Sequence, residues 1–232
     1  MTDHFHVPLS DTQPEPFSEA EVAVFALRSG WIDDLGVIAA GRTVIERRAL
    51  SWWPGHDLII ARDPSWNSNV AAWVLKEGGR LIRLSGKSGP VHAINQSVKP
   101  IFTSDNVLAY LGFFCLFVHG EAGPFGIVRS IDDGLLPADL DREKIALHLR
   151  EPAIVKQTPD AAEENAASFD IEAPIYYGDA LFLSNFRVFP TGMVEMLADE
   201  PLVSELEAVI TMPLRFEVPK AAPETEMDEQ MH

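Results

Sequence analysis

The sequence has a single cysteine, Cys115, in 232 residues. A lone thiol closes no internal disulfide, and no pair of cysteines is there to hold a structural zinc, so the composition implies neither an oxidising compartment nor a zinc scaffold. Positive charge is also short. There are 18 Lys and Arg against 35 Asp and Glu, a formal charge of -17, and a field of that sign repels a polyanion, which excludes nucleic acid as a partner. Long apolar runs are missing as well. The longest, "VLAYLGFFCLFV" at 107–118, has 12 residues, where a bilayer-spanning helix needs roughly 20. It reads as a buried core helix in a cytoplasmic protein with no membrane partner. The opening "MTDHFHVPLSDTQPEPFSE" has no basic region followed by an apolar one, so it does not read as a secretory signal.

What is present describes a globular chain. Hydrophobic residues make up 47% and charged residues 23%, enough apolar material for one substantial core. The basic residues are concentrated: Arg28, Arg42, Arg47, Arg48, Arg62, Lys76, Arg80, Arg83 and Lys87 give residues 28–87 half of the total, against 6 acids. Solvated faces of an N-terminal half packed on a more acidic half would explain this; a positive patch for a small anionic ligand is the sharper reading. All five tryptophans, Trp31, Trp52, Trp53, Trp66 and Trp73, fall in the same region. Tryptophan beside arginine is the composition of binding surfaces, although core filling accounts for such rings equally well. In "SWWPGHD" two consecutive rings cannot both point inward if the chain is extended, so Trp52 or Trp53 is expected at the surface.

Read along its length, the chain divides into a flexible lead-in at 1–17, one globular unit at 18–218 and a disordered acidic tail at 219–232. The small polar stretch "QTPDAAEENAAS" at 157–168 is a linker or subdomain break. Ser18 and Glu21 have capping-box spacing, and a helix or a strand follows. Residues 35–53 fit either type, with Arg42 and Glu46 placed to pair if helical. "HDLIIARD", "VAAWVLKEGGRLIRLSG" and "PVHAINQS" read as a meander of short strands. Then come a helix over 107–118, capped by Ser104 or Asp105 and closed by Gly120, and a helix of about ten residues entered at Asp139 and stopped before Pro152. A hairpin turns at Pro190-Thr191-Gly192, and a last strand lies within 208–218. The fold class is α+β, with mostly antiparallel sheets of short strands packed with two or three helices.

Several patterns suggest chemistry. Gly86-Lys87-Ser88 resembles the end of a phosphate-binding loop, but the required glycine five positions earlier is Leu81, and the run after Pro90 reads as a strand, which makes the tripeptide a hairpin turn. Cys115 and His119 are four apart, as a nucleophile and its base could be; phenylalanines on both sides of Cys115 point instead to an inert buried thiol. The pairs Asp33-Asp34 and Asp132-Asp133 read as turn formers.

Two functions stand. The first is a non-enzymatic ligand- or protein-binding module, using Trp52, Trp53, Arg80, Arg83, Lys87 and Asn95 toward a protein or a small anionic ligand. The second is a hydrolase or metal-assisted enzyme whose site is assembled from His56, Asp57, His92, His119 and Glu121, all at or beside element ends. Homo-oligomerisation through exposed apolar residues is a third role. No cofactor is expected, and no histidine pair has the spacing of a zinc helix.

Overall fold

The computed structural model describes residues 5–29, 38–66, 70–76, 78–137, 140–160, 166–206 and 210. Expectations for Trp31, Asp33-Asp34, Asp139, the tail 219–232 and nearly all of the last strand fall outside these residues.

A two-residue strand β1 (Glu15–Pro16) leads into helix α1 (Glu19–Ser29). The capping box forms: Ser18 N donates to Glu21 Oε2 at 2.8 Å, and Glu21 N to Ser18 Oγ at 3.4 Å. Strands β2 (Val44–Ala49), β3 (Asp57–Arg62), β4 (Val70–Leu75) and β5 (Leu81–Arg83) then complete an antiparallel sheet in the order β1-β2-β3-β4-β5. The ambiguous residues 35–53 thus contain a strand. Arg42 and Glu46 do not pair along a helix; Arg42 Nε donates instead to Asp63 Oδ2 at 2.9 Å. The runs in β3 and β4 are apolar without alternation because both faces of this sheet are covered. Ile45, Ile59, Ala61 and Trp73 pack against Val22 and Phe25 of α1, while Leu58, Ile60, Ala72 and Val74 face the main core.

The stretch after β5 departs from the sequence reading. Residues Gly89–Ser97 form a helix, α2, not a strand. Its buried residues Val91, Ile94 and Asn95 have helical spacing, which the polar Asn95 disguises, and Pro90 suits the first turn. The Gly86-Lys87-Ser88 tripeptide therefore joins a strand to a helix and is no hairpin turn; the missing glycine at Leu81 still separates it from a phosphate loop.

Helix α3 (Val107–Phe117) is capped by Asn106, not by Ser104 or Asp105. Nine of its eleven residues are buried on all sides, as expected for a helix at the centre of a fold. It does not close on Gly120: Val118 is extended and bridges to Gly86, and β6 (His119–Gly120) pairs with β7 (Gly123–Pro124). Strand β8 (Gly126–Ile127) follows, then α4 (Arg142–Ala146), which is half the expected length. It enters at Asp141, whose Oδ1 accepts from Glu143 N at 3.2 Å, and only Ile145 is buried, so no apolar stripe extends it.

Strands β9 (Ala153–Pro159), β10 (Ala167–Tyr177), β11 (Ala180–Val188) and β12 (Val194–Val203) build a second antiparallel sheet, ordered β12-β11-β10-β8 with β9 also on β10. The ends of the stretch expected as a linker pair with each other, Pro159 with Ala167 and Thr158 with Ser168, so it connects neighbouring strands of one sheet. Phe169, Ile171, Phe186 and Val188 of this sheet belong to the same core cluster as Leu58, Val74 and α3. The architecture is α+β, with four helices among the described residues.

One buried amide joins these layers. Asn95 Oδ1 accepts from Trp53 Nε1 at 3.1 Å, and its Nδ2 donates to Tyr110 Oη at 3.0 Å and to the Gly192 carbonyl at 3.1 Å. The Tyr110 hydroxyl also donates to that carbonyl. Gly192 has φ 77°, and a Cβ there would stand 2.3 Å from Asn95 Nδ2. Gly192→Ala should therefore lower stability by about 2–3 kcal/mol, through left-handed strain and displacement of the amide. A urea midpoint unchanged from wild type would contradict this.

A second polar anchor holds the start of β2 to the end of β3. Burial works to raise the Asp63 carboxyl, but hydrogen bonds from Ser65, Thr43 and Arg42 outweigh it and bring the pKa to about 2. Because the folded value lies below the unfolded one, the carboxylate contributes about 2 kcal/mol above roughly pH 4, and this is lost as the pH falls toward 2. The stability gap between wild type and Asp63→Asn should close over that window. Urea unfolding at pH 7, 4 and 2.5 measures it, and a constant gap would refute the assignment.

Candidate functional site

Residues 5–16 do not behave as a loose lead-in. They run as a strap over α3 and the first sheet. Val7 is a core residue, and the Pro8 carbonyl lies so close to α3 that a Cβ at Gly112 would stand 2.2 Å from it. Thr12 Oγ1 donates to the Ala49 carbonyl at 2.9 Å, Glu15 pairs with Arg47 at 2.8 Å, and His6 Nε2 lies 3.2 Å from Asp133 Oδ1. Burial works to raise the Asp133 carboxyl, yet the contact with His6 and the Leu135 N–H hold it below its ordinary value.

Arg48 fastens this strap. Strand alternation puts Glu46 and Arg48 on the core-facing side of β2, where both are buried. Arg48 Nη2 donates to the Phe5 carbonyl at 2.8 Å and to Glu46 Oε1 at 3.2 Å, and Nη1 reaches the Thr12 carbonyl at 3.4 Å. Arg62 Nη2 stands 3.8 Å from the other Glu46 oxygen. A buried carboxylate between two guanidinium groups meets the requirement that interior charge be paired.

Between strap, β2 and the start of α3 lies a cleft of about 530 Å³. Arg48 forms part of its floor; His6, Arg129, Asp105 and Glu151 stand around it, with Arg129 and Glu151 loosely paired at 3.7 Å on the rim. A recess of about 10 Å³ shares Val7, Ser10, Thr12, Arg48 and Ala109 with the cleft. That is the volume of a single water-sized group. Trp52 and Arg48 both line the recess, and each has one buried donor, Arg48 Nε and Trp52 Nε1, with no hydrogen-bond partner among the described residues. Buried donors are rarely left without an acceptor, because each costs roughly 1–3 kcal/mol.

Of the residues read from the sequence as ligand-binding, none lines the cleft itself, and Trp52 alone lines the recess. Neither Trp52 nor Trp53 is at the surface: they are 3% and 0% exposed. The expectation of an exposed ring assumed an extended chain, whereas residues 51–55 form tight turns, with Trp53 N bonded to the Leu50 carbonyl and His56 N to that of Trp53. Both rings can then enter the core. Trp66 and Trp73 are buried as well. Asn95 is held in the interior network, Arg83 lies 5.8 Å over the Trp73 ring, and Arg80 and Lys87 are exposed.

The five residues of the enzyme reading fall into separate places. Buried His56 directs Nδ1 at the Pro54 carbonyl, 3.1 Å away, and Asp57 starts β3 opposite Leu75. That end of the sheet meets the C-terminus of α2, where Lys76 Nζ donates to Ser97 Oγ at 2.7 Å. His119 N instead bonds the Gly86 carbonyl at 2.8 Å, just before the N-terminus of α2, and exposed Glu121 follows it. The length of α2, roughly 12 Å, separates the two groups. His92 packs on Phe114 at 6.2 Å. Burial lowers the His119 pKa, against the raising effect of its bond to the Leu116 carbonyl, and pushes the Cys115 thiol far up, so no reactive pair forms. Among the described residues, no group of three or more His, Cys, Asp or Glu is placed to hold a metal ion. No described helix is long and apolar enough to cross a membrane.

Sequence reasoning counted Arg48 within the basic cluster of residues 28–87 without singling it out, and it missed His6 and Arg129. The available signal was Glu46 and Arg48 at i,i+2, which share a face only in a strand. No family model matches the chain, and comparison with curated proteins and with solved structures returns no match.

Arg48→Met should cost about 3 kcal/mol, because it removes the nearer of the two guanidinium groups beside buried Glu46. It should also free the strap, so that limited proteolysis cuts within residues 5–14 before the rest of the chain. Intact strap and unchanged stability would show that Arg48 does not hold it.

Proposed function

We propose that the protein is a non-enzymatic binding module for a small ligand with an oxyanion head, a carboxylate above all, taken up in the cleft under the N-terminal strap. The observation that carries this reading is the pair of unpartnered buried donors, Arg48 Nε and Trp52 Nε1, on two residues that line the recess beside the cleft. On this reading a ligand oxygen supplies the missing acceptor. Charge-assisted bonds from guanidinium to carboxylate are the stronger kind, and Arg129 at the rim adds a second cation.

The donor set favours holding over turnover. Guanidinium and indole N–H groups donate hydrogen bonds but take up no proton at neutral pH. The cleft volume lies within the roughly 300–1,000 Å³ of small-molecule sites. A polymeric anion would meet the field of a chain with net charge -17, whereas a small one inside the cleft feels chiefly the nearby guanidinium groups.

Thermal unfolding of the full chain with sodium acetate, succinate or phosphate, at constant ionic strength, tests the reading. At least one of these anions should raise Tm by saturable binding. Trp52→Phe, which keeps a ring but deletes the N–H, should weaken that binding about tenfold. Absence of any saturable shift, or an equal shift in Trp52→Phe, would defeat the proposal.

A further inference from the structure

The cleft under the strap is lined by charge of both signs, and this narrows what can fill it. Arg48 and Arg129 contribute on the positive side, Asp105 and Glu151 on the negative. Most of this charge is committed. Arg48 gives its Nη groups to the Phe5 and Thr12 carbonyls and to Glu46, Arg129 stands 3.7 Å from Glu151, and His6 lies 3.2 Å from Asp133. The Asp105 carboxylate is the exception. Among the described residues it has no hydrogen bond or ion pair, and its position is set by the backbone, where Asp105 N donates to Thr103 Oγ1 at 3.2 Å. Nor does it cap α3, a place that Asn106 takes.

This free carboxylate stands close to the recess. Val107 N donates to the Thr103 carbonyl at 3.1 Å, so the helical turn that opens α3 already includes Asp105. Asp105 precedes Ala109 by four residues, which puts the two on one side of the helix entrance, roughly 6 Å apart. Ala109 lines cleft and recess alike, and the recess is also lined by Arg48 and Trp52, each with a buried donor that lacks an acceptor.

We propose that the ligand of this cleft is a zwitterion, a carboxylate that also carries an ammonium group. Its carboxylate supplies the acceptor missing at the recess, and its ammonium group pairs with Asp105. This rests on the reading of the cleft as an oxyanion site and adds the other half of the ligand. A simple anion brings its charge to a lining that holds the unpaired Asp105, and a dianion does so twice over. A cation alone leaves the two buried donors without an acceptor. A ligand with both signs meets each need, and having no net charge it is not repelled by the -17 of the whole chain.

An acid at the entrance of α3 also favours the helix dipole, so the stability of an Asp105 variant does not report on this role. Ligand preference does. Isothermal titration of the full chain at pH 7 with 4-aminobutanoate and butanoate, which share a carboxylate and a four-carbon chain and differ in the ammonium group, reads it directly. 4-Aminobutanoate should bind at one site about three- to fivefold more tightly, the effect of one solvent-accessible ion pair. Asp105→Asn should erase that preference by weakening 4-aminobutanoate alone, and Glu151→Gln should keep it. The proposal is overturned if wild type binds both probes alike or favours butanoate, if the preference persists in Asp105→Asn, or if Glu151→Gln removes it. Saturable butanoate binding without a preference sinks the zwitterion and leaves the oxyanion site standing; silence from both probes defeats the two together.

Discussion

The fold turns on one amide that has no water to fall back on. Asn95 of α2 is satisfied at both ends by groups from three other parts of the chain: the Trp53 turn, α3, and the turn between β11 and β12. Apolar packing alone would tolerate small slips of one layer against another. A buried hydrogen-bond network does not, because a displaced donor loses its partner in a medium that supplies no substitute. Around it the rings of Trp52, Trp53, Tyr110 and Phe113 meet edge-on and tilted at 5.4–6.4 Å, and the same medium pushes the Tyr110 hydroxyl pKa well up. The rings provide the bulk and the amide fixes their positions.

Where the sequence is informative, local physics decides the structure. The Ser18–Glu21 cap, the apolar α3, the Gly78-Gly79 turn between β4 and β5, and the hairpin at Gly192 are each specified by neighbouring residues, and each is found. Where it misleads, tertiary burial decides. "PVHAINQS" alternates well enough to pass for a strand, and only the network that Asn95 enters shows that a polar residue belongs to a helix's buried face. The two tryptophans of "SWWPGHD" were expected to diverge because an extended chain makes neighbours point apart; a turn lets both go inward. The cap of α3 shifts by one or two positions because Asn106 uses its side chain outside the helix, accepting from Thr103 N and donating to the Ile101 carbonyl.

The cleft was barely legible for a related reason. Its residues come from positions 5–14, 48–52, 105–109, 129 and 151, and no spacing in one dimension joins them. The cluster of basic charge in residues 28–87 was visible, but its meaning was not. Four of the nine basic residues are spent on acids, Arg42 on Asp63, Arg47 on Glu15, and Arg48 with Arg62 on Glu46. Local neutralisation reduces the positive field that composition alone suggested.

The seating of Pro8 against Gly112 also bears on the order in which the molecule can assemble. The strap is synthesised before its partners, which are Arg48, 43 positions downstream of Phe5, then Gly112, then Asp133. Contacts of such sequence separation form only after the intervening chain exists and has closed its loops. The strap is thus made before the residues that seat it, and until it settles the notch at Gly112 and the charge of Arg48 face solvent on a nascent chain.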